Sequence, residues 1–345
     1  MLLSIAFPSW LSPQIIPGLF FRWYSVMYIV AFGIAYLLYR KQVQERRFPM
    51  TEDELTGLFF WGVLMLIVGA RIFSTIVYET SDLYRQEPWL VFWPFRNGRF
   101  TGLEGMSYHG GVIGGVLAIL IYSGIKRFDY REIGDMFAAS IPLGYTFGRL
   151  GNFANEELYG RVTTQPWGMV FPHARRLSAE EVWVQEAAEQ TGIDIQGALV
   201  NLPRHPSQLY EALLEGVVLW FIIWIFRNRK PFKGFLIGLY LMGYGTFRFL
   251  IEYFREPDSH LGYRIQLAEN DLPLALAHPL LSFSTGQMLS LIMFLIGLVW
   301  LVIASRSPNR KPVLVYLDSN RTKVNMEAER KAAQKQRRKL RKKLR

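Results

Sequence analysis

The chain has 345 residues and a formal net charge of +11; 51% of its residues are hydrophobic, 15% aromatic and only 19% charged, a balance too apolar for a soluble domain and natural for membrane spans alternating with loops. The surplus charge does not describe the body: residues 306–345 hold fifteen Lys/Arg against three acids, so the tail carries +12 and the rest of the chain −1, which removes nucleic acid as an expected partner. With no cysteine there is no disulfide, thiolate nucleophile or thiolate metal site, and any thiol in the chemistry belongs to a substrate.

Residues 1–19 carry no Lys or Arg ahead of their short apolar patches, unlike a cleaved signal peptide, so the first span is expected to stay in the mature protein. Runs able to cross a hydrocarbon core of about 30 Å, which takes roughly 20 residues, fall at 19–39, 57–78, 209–226, 234–251 and 284–304. Two shorter or more polar segments, 108–125 and 133–147, bring the expected count to about seven helices of an all-α polytopic membrane protein. Arg40, Lys41, Arg46 and Arg47 follow the first span, Lys126, Arg127 and Arg131 the third, Arg227, Arg229, Lys230 and Lys233 the fifth, and the basic tail the seventh. Basic residues near span ends stay cytoplasmic. The N-terminus is therefore expected outside, the tail 306–345 in the cytoplasm, and the stretches 79–107, 151–207 and 253–283 outside, forming a head on a membrane core of residues 1–305. Small residues four apart, Gly110 with Gly114, Gly111 with Gly115 and Gly144 with Gly148, predict close helix packing.

A charge inside a span costs on the order of 2.5–3.5 kcal/mol and usually faces the bundle interior for a functional reason. On this topology Tyr24, His109, Arg149, Asn152, Tyr210, Glu211, Arg248 and Glu252 all fall at the outer ends of their spans. Tyr244, Arg248, Glu252 and Arg255 step by four, four and three, along one helix face. Against a functional role stands an Arg248–Glu252 pair that only neutralises itself, with Arg255 snorkelling. The densest run is Gly148-Arg149-Leu150-Gly151-Asn152-Phe153-Ala154-Asn155-Glu156-Glu157-Leu158-Tyr159-Gly160-Arg161. Here a helix end meets a loop whose Gly and Asn residues accept left-handed backbone. Read for function, Arg149 and Arg248 are permanently charged forks suited to a phosphate diester, with Asn152, Asn155 and Glu157 holding hydroxyls or orienting the forks; read for structure, the run is an elaborate capped turn. His109 has the side chain whose ordinary pKa, about 6.5, suits a general base. Tyr24 and Tyr244 alone would be interfacial aromatics.

H-E-x-x-H and G-x-x-x-x-G-K are absent, and Gly105-Met106-Ser107-Tyr108-His109 lacks the last glycine of a hydrolase elbow, which lowers zinc protease, nucleotide-driven pump and serine hydrolase. An anionic-metabolite transporter would need polar groups on the inner half as well, and a lipid phosphoryltransferase would want carboxylates holding a metal.

The run Gly148-Arg149-x-Gly151-Asn152-Phe153-x-Asn155-x-Glu157-x-x-Gly160 resembles the signature of the bacterial prolipoprotein diacylglyceryl transferase family. Arg22-Trp23-Tyr24, Met106-Ser107-Tyr108-His109-Gly110-Gly111, His205-Pro206-Ser207-Gln208-Leu209-Tyr210-Glu211, Tyr244-Gly245-x-x-Arg248 continuing to Glu252-x-x-Arg255-x-Pro257-Asp258, and Gly286-Gln287 resemble it in the same order, over residues 21–304. Ala154, the extended stretches 175–200 and 261–280 and the long tail depart from the family pattern without touching a matched polar position. The resemblance implies transfer of an sn-1,2-diacylglyceryl group from phosphatidylglycerol to the lipobox cysteine of a prolipoprotein signal peptide, forming a thioether and releasing glycerol phosphate. It also implies the bacterial inner membrane, a site toward the outer leaflet among membrane lipids, and neither metal nor organic cofactor. It marks Tyr24, His109, Arg149, Tyr244 and Arg248 as catalytic, and Arg149, Asn152, Glu157, Gly160, Arg248, Glu252 and Arg255 as substrate-binding.

Overall fold

The structure, a computed structural model, describes residues 4–16, 22–79, 83–96, 98–100, 105–256, 263–266, 273, 275–276, 279–308, 331 and 334–335. Pro257, Asp258, much of 261–280 and nearly all of the basic tail lie outside these residues. The chain is mostly helical: α1 (Trp23–Glu45), α2 (Glu52–Phe73), α3 (Tyr108–Lys126), α4 (Tyr130–Ala138), α5 (Ile141–Ala154), α6 (Val182–Thr191), α7 (Ser207–Phe226), α8 (Phe235–Ile251) and α9 (Thr285–Arg306). Among the described residues four helices are long and apolar enough to cross a membrane: Glu52–Tyr78, Tyr108–Lys126, Ser207–Phe226 and Thr285–Arg306, with Phe235–Ile251 a shorter apolar helix. Their outward faces are apolar, as with Val112, Val116 and Leu120 of α3 or Ile292, Ile296 and Val299 of α9, the surface a bilayer covers. The predicted span 133–147 is not one helix. Ser140 closes α4 by donating its hydroxyl to the Met136 carbonyl at 2.8 Å, and Pro142 opens α5, where a missing N–H does no harm; neither piece reaches the roughly 20 residues a span takes.

The chain divides into two compact units. The first comprises Met1–Tyr39 and Asp135–Pro312. Its helical core packs Ala138, Ala139, Leu219, Ile223, Leu236 and Tyr244, and α5 approaches α1 so closely that a side chain at Gly144 would strike the Ala31 carbonyl. Gly148, its expected companion, faces open space. A fully buried salt bridge joins Lys230 Nζ to Asp135 Oδ2 at 2.8 Å. The same carboxylate accepts the backbone N–H groups of Gly234 (2.9 Å) and Ile237 (3.1 Å), capping α8 from a distant helix because Gly234, at φ 87°, has no side chain to do so. Lys230, read from the sequence as a marker of topology, is in the structure a buried partner.

Residues 155–206 of this unit form a small head. Val162, Leu177, Val184, Ala187, Val200 and Leu202 make one apolar cluster, and Phe7, Met169, Phe171 and Ala174 another. Short strand pairs brace it, Ile5–Ala6 parallel with Met169–Val170 and Leu177–Ser178 antiparallel with Leu199–Val200, elements that an all-α reading omits. Near α9, Tyr263–Gln266 pairs with Ser282–Ser284, and Ser284 then caps α9, accepting from Gln287 N at 3.2 Å while Gln287 accepts from Ser284 N at 3.0 Å.

The second unit comprises Arg40–Gly134 and Val313–Arg345. Thr51 and Glu54 form a capping box at the start of α2, the arrangement that satisfies two otherwise orphaned N–H groups. Buried Arg71 ties down the following arm, donating to the Gly105 carbonyl (3.2 Å), the Tyr84 hydroxyl (3.0 Å) and the Val91 carbonyl. Arg46 and Glu132, both buried, face each other at 3.9 Å. Helices α2 and α3 meet backbone to backbone, since a side chain at Gly110 would overlap the Gly69 carbonyl and one at Gly114 the Met65 carbonyl, whereas Gly115 meets nothing. Gly114→Leu is therefore expected to lower stability by about 1–3 kcal/mol or more through overpacking, and Gly115→Leu to change it by less than about 0.5 kcal/mol. Denaturant unfolding of the detergent-solubilised variants, followed by circular dichroism, compares them; equal losses would contradict this packing.

Candidate active site

A single carboxylate organises the polar interior of the first unit. Glu211, in the first turns of α7, has no solvent exposure. Its Oε2 lies 2.7 Å from Arg149 Nε of α5 and 3.4 Å from Arg248 Nη1 of α8, and its Oε1 takes Arg255 Nη1 at 2.9 Å. Arg149 and Arg248, distant in sequence, therefore face each other across one oxygen. Glu252 joins the set, with Arg248 Nη2 at 3.3 Å and Arg255 Nε at 3.7 Å. Ser284 donates its hydroxyl to Glu252 Oε1 at 3.1 Å. Gly286 leaves the space this carboxylate occupies, which a side chain there would fill; the Gly286-Gln287 pair thus receives Glu252 and caps α9. The isolated Arg248–Glu252 pair weighed from sequence is part of a larger network.

Tyr145 and Glu215 complete the cluster. The Nε–H of Arg149 donates to the Tyr145 hydroxyl at 2.6 Å, and that hydroxyl donates to Glu215 Oε2, while Glu215 Oε1 lies 3.9 Å from Arg248 Nη1. The Tyr244 ring stands edge-on to Tyr145, with centroids 5.9 Å apart. Three guanidiniums meet three carboxylates, so the cluster is formally neutral. Among the described residues neither Arg149 Nη2 nor Arg248 Nε donates a hydrogen bond to protein, leaving N–H groups for an anion. Sequence reasoning placed Glu211 at the outer end of its span without assigning it a role, and passed over Glu215 and Tyr145. The signal was Glu211 and Glu215 four residues apart in an apolar span, two acids that the nearby arginines require.

The remaining predicted residues support this cluster or belong to other parts of the chain. Asn152 accepts from Arg149 Nη1 at 3.4 Å and donates to Glu157 Oε1 at 2.8 Å, which Asn155 also approaches at 3.4 Å. The left-handed backbone falls on Glu156 and Leu158, both at φ 56°, rather than on Gly or Asn as expected. Tertiary anchors hold it there: Glu156 accepts His173 N at 2.9 Å, Gln208 donates to the Glu157 carbonyl at 2.8 Å and Ser207 to the Leu158 carbonyl at 3.1 Å. Gly160 sits where three segments cross. Its N–H donates to the His205 carbonyl at 2.8 Å, Arg161 N donates to the Phe254 carbonyl at 2.9 Å, and any side chain would overlap that Phe254 oxygen. Fully buried Arg204 locks the crossing through Glu256, the Gly160 carbonyl (3.4 Å) and the Tyr159 ring. An open cleft of about 330 Å³ adjoins it, lined by Thr163, Gln165, Trp167, His205 and Phe254 among others. Tyr24 backs onto α5 at Gly151 and shares a hydrogen bond with Tyr28 at 2.9 Å. His109 belongs to the second unit, exposed on the first turn of α3, with Nδ1 2.8 Å from the Tyr78 hydroxyl.

A family model described as prolipoprotein diacylglyceryl transferase matches residues 13–303. Among curated relatives, the phosphatidylglycerol–prolipoprotein diacylglyceryl transferase of Treponema denticola is 51% identical over 88% of this chain and 95% of its own length. That of Treponema pallidum is 50% identical over 86% and 94%, and that of Chlorobaculum tepidum 39% identical over 85% and 91%.

Removing one partner from a buried ion cluster costs about 3–5 kcal/mol, because the charges left behind stay buried. Glu211→Gln is expected to lose stability on that scale by denaturant unfolding; a loss below about 1 kcal/mol would mean that the guanidiniums are balanced without it. His205, outside the helices, is pushed down to about 4 by burial and by neighbouring Arg161. An unfolded histidine titrates near 6.5, so between those values the unfolded chain binds a proton that the folded chain refuses. Stability should therefore fall as pH drops from about 6.5 to about 4, and His205→Gln should flatten that part of the profile; an unchanged slope would contradict the assignment.

Proposed function

The chain belongs to the prolipoprotein diacylglyceryl transferase family, and from that premise we propose that it moves the sn-1,2-diacylglyceryl group of phosphatidylglycerol onto the lipobox cysteine thiol of prolipoprotein signal peptides. A thioether forms and glycerol phosphate leaves, the first step of bacterial lipoprotein maturation. The observation that supports a phosphate role best is the convergence of Arg149 and Arg248 on one buried carboxylate, each with N–H groups not spent on protein. Donors fixed before the substrate arrives stabilise charge as it develops on the leaving phosphate without reorganising. Arg149 and Arg248 hold that phosphate, and Arg255, Glu252, Asn152 and Glu157 keep the two forks in place. Gly160 keeps the crossing open, and Tyr24 and Tyr244 flank the reacting groups. His109 receives the proton of the incoming thiol, since a thiolate is the nucleophile.

The wider placement is part of the same proposal: about seven crossings, one of them made by the broken pair α4 and α5 together, with the N-terminus outside, a membrane core of residues 1–305, a basic cytoplasmic tail 306–345 and a site toward the outer leaflet of the bacterial inner membrane. There a lipid arrives sideways and an exported precursor meets it. Such a tail near anionic lipid gains roughly 1 kcal/mol per basic residue.

Purified protein in vesicles containing phosphatidylglycerol, incubated with a lipobox peptide, should yield a thioether-linked peptide detectable by mass spectrometry. Arg149→Ala and Arg248→Ala should each lower kcat by about 10²–10³, the loss typical of one fixed charge-stabilising donor, and Arg149→Lys should recover little because a point charge does not replace a fork. No thioether from the folded, unaltered chain would end the transferase reading; full activity of both alanine variants would end the phosphate role alone.

A further inference from the structure

His109 stands on the first turn of α3, and α2 does not end as an ordinary helix beside it. Its last turn, Ser74–Tyr78, is π-helical, a widened turn with an extra residue that often marks functional sites. That turn brings the Tyr78 hydroxyl to 2.8 Å from His109 Nδ1. Both partners are held from behind. Ser107 N donates to the Ala70 carbonyl at 3.0 Å, Ser107 Oγ accepts from Gly110 N at 3.3 Å, and Gly110 rests on the Gly69 backbone. Thr75 Oγ1 donates to the Arg71 carbonyl at 3.1 Å. Phe73 stacks edge-on to Tyr78 at 5.7 Å and lies 6.3 Å from the imidazole, while Tyr108 meets that ring edge-on at 5.9 Å. Among the described residues the Tyr78 contact is the hydrogen bond of this imidazole, and Nε2 has no protein partner.

A neutral imidazole carries one N–H, and the partner of one nitrogen decides the state of the other. If Tyr78 donated to Nδ1, the proton would sit on Nε2, which could then accept nothing. If Nδ1–H donates to the phenol oxygen, Nε2 presents a lone pair, and the phenol proton points to water or a lipid headgroup. We infer that Tyr78 accepts Nδ1–H and so keeps Nε2 of His109 unprotonated, making Tyr78 a positioning residue for proton removal from the acceptor thiol. The inference rests on the reading of His109 as the base. In the step it serves, the S–H bond breaks and its proton goes to Nε2; the sulfur pair forms the bond to the glyceryl carbon as that carbon's bond to the phosphate oxygen breaks, the pair leaving with glycerol phosphate. As the imidazolium forms, the Nδ1–H···O bond becomes charge-assisted and strengthens.

Nitrogen-15 NMR of histidine-labelled protein in phosphatidylglycerol nanodiscs separates the tautomers, and the spectrum of His109→Gln identifies the resonances of this ring. The unaltered protein should show Nδ1 protonated and Nε2 bare. Tyr78→Phe should give mixed tautomers and lower kcat by about one to two orders of magnitude, no more than the 10²–10⁴ that general-base catalysis supplies in full, with KM for phosphatidylglycerol changed less than about twofold. An Nε2–H tautomer in the unaltered protein overturns the inference even if Tyr78→Phe fails to fold, as do unchanged tautomer and kcat in a folded Tyr78→Phe. Full activity of His109→Gln would instead overturn the base reading, and with it the catalytic meaning of Tyr78, whatever the tautomer.

Discussion

A carboxylate with no access to water, set in an apolar helix, dictates much of what surrounds it. Glu211 meets that constraint with three guanidiniums drawn from α5, from α8 and from the residues just beyond α8. A buried ion cluster adds little net stability compared with apolar packing, but it is unforgiving of misplacement, so these elements can adopt few other arrangements. The constraint spreads outward: Tyr145 and Glu215 extend it between α5 and α7, and Glu252 with Ser284 carries it to the start of α9. Four helices are thereby referred to one charge. In the function proposed for the chain the same arrangement readies the phosphate site, because guanidiniums already desolvated and aligned need no further ordering when an anion arrives.

The four long spans were legible because an apolar run of about 20 residues has few alternatives in a bilayer. The segment 133–147 was apolar too, and Pro142 with the Ser140 hydroxyl outweighed that pattern. Arg149, Arg248, Glu252 and Arg255 stood out because charge in a span is expensive. Their wiring did not, since a sequence displays charges and hides pairings; the one oxygen shared by Arg149 and Arg248, or the hydroxyl of Tyr145 beneath them, exists only once α5, α7 and α8 are packed. The loop after α5 misled for a related reason. Gly and Asn suggested where left-handed backbone would fall, yet it falls on Glu156 and Leu158, where hydrogen bonds from His173, Gln208 and Ser207 offset a strain of order 1–2 kcal/mol per residue. Local propensity lost to tertiary anchoring.

Glycines divide in the same way. Gly110, Gly114 and Gly144 sit where backbones touch, while Gly115 and Gly148 meet open space, although all five share the four-residue spacing that suggested them. Spacing defines a stripe on a helix, and only the neighbour decides which part is used. Gly160 and Gly286 show a third use, making room for a carbonyl and for a carboxylate at the edge of the charged cluster. The family signature therefore mixes groups suited to chemistry with residues whose contribution is the absence of a side chain.

The salt bridge between Asp135 and Lys230 has a consequence for how the chain is made. Asp135 finds its partners 95, 99 and 102 residues later, at Lys230, Gly234 and Ile237. At roughly 5–20 residues per second, a ribosome needs about 5–20 s to supply them. During that interval Asp135 lacks these three partners, so the contact that seats α4 against the start of α8 cannot yet form. It forms only after the turn between α7 and α8 has been made, so this contact follows the order of synthesis as well as the logic of packing.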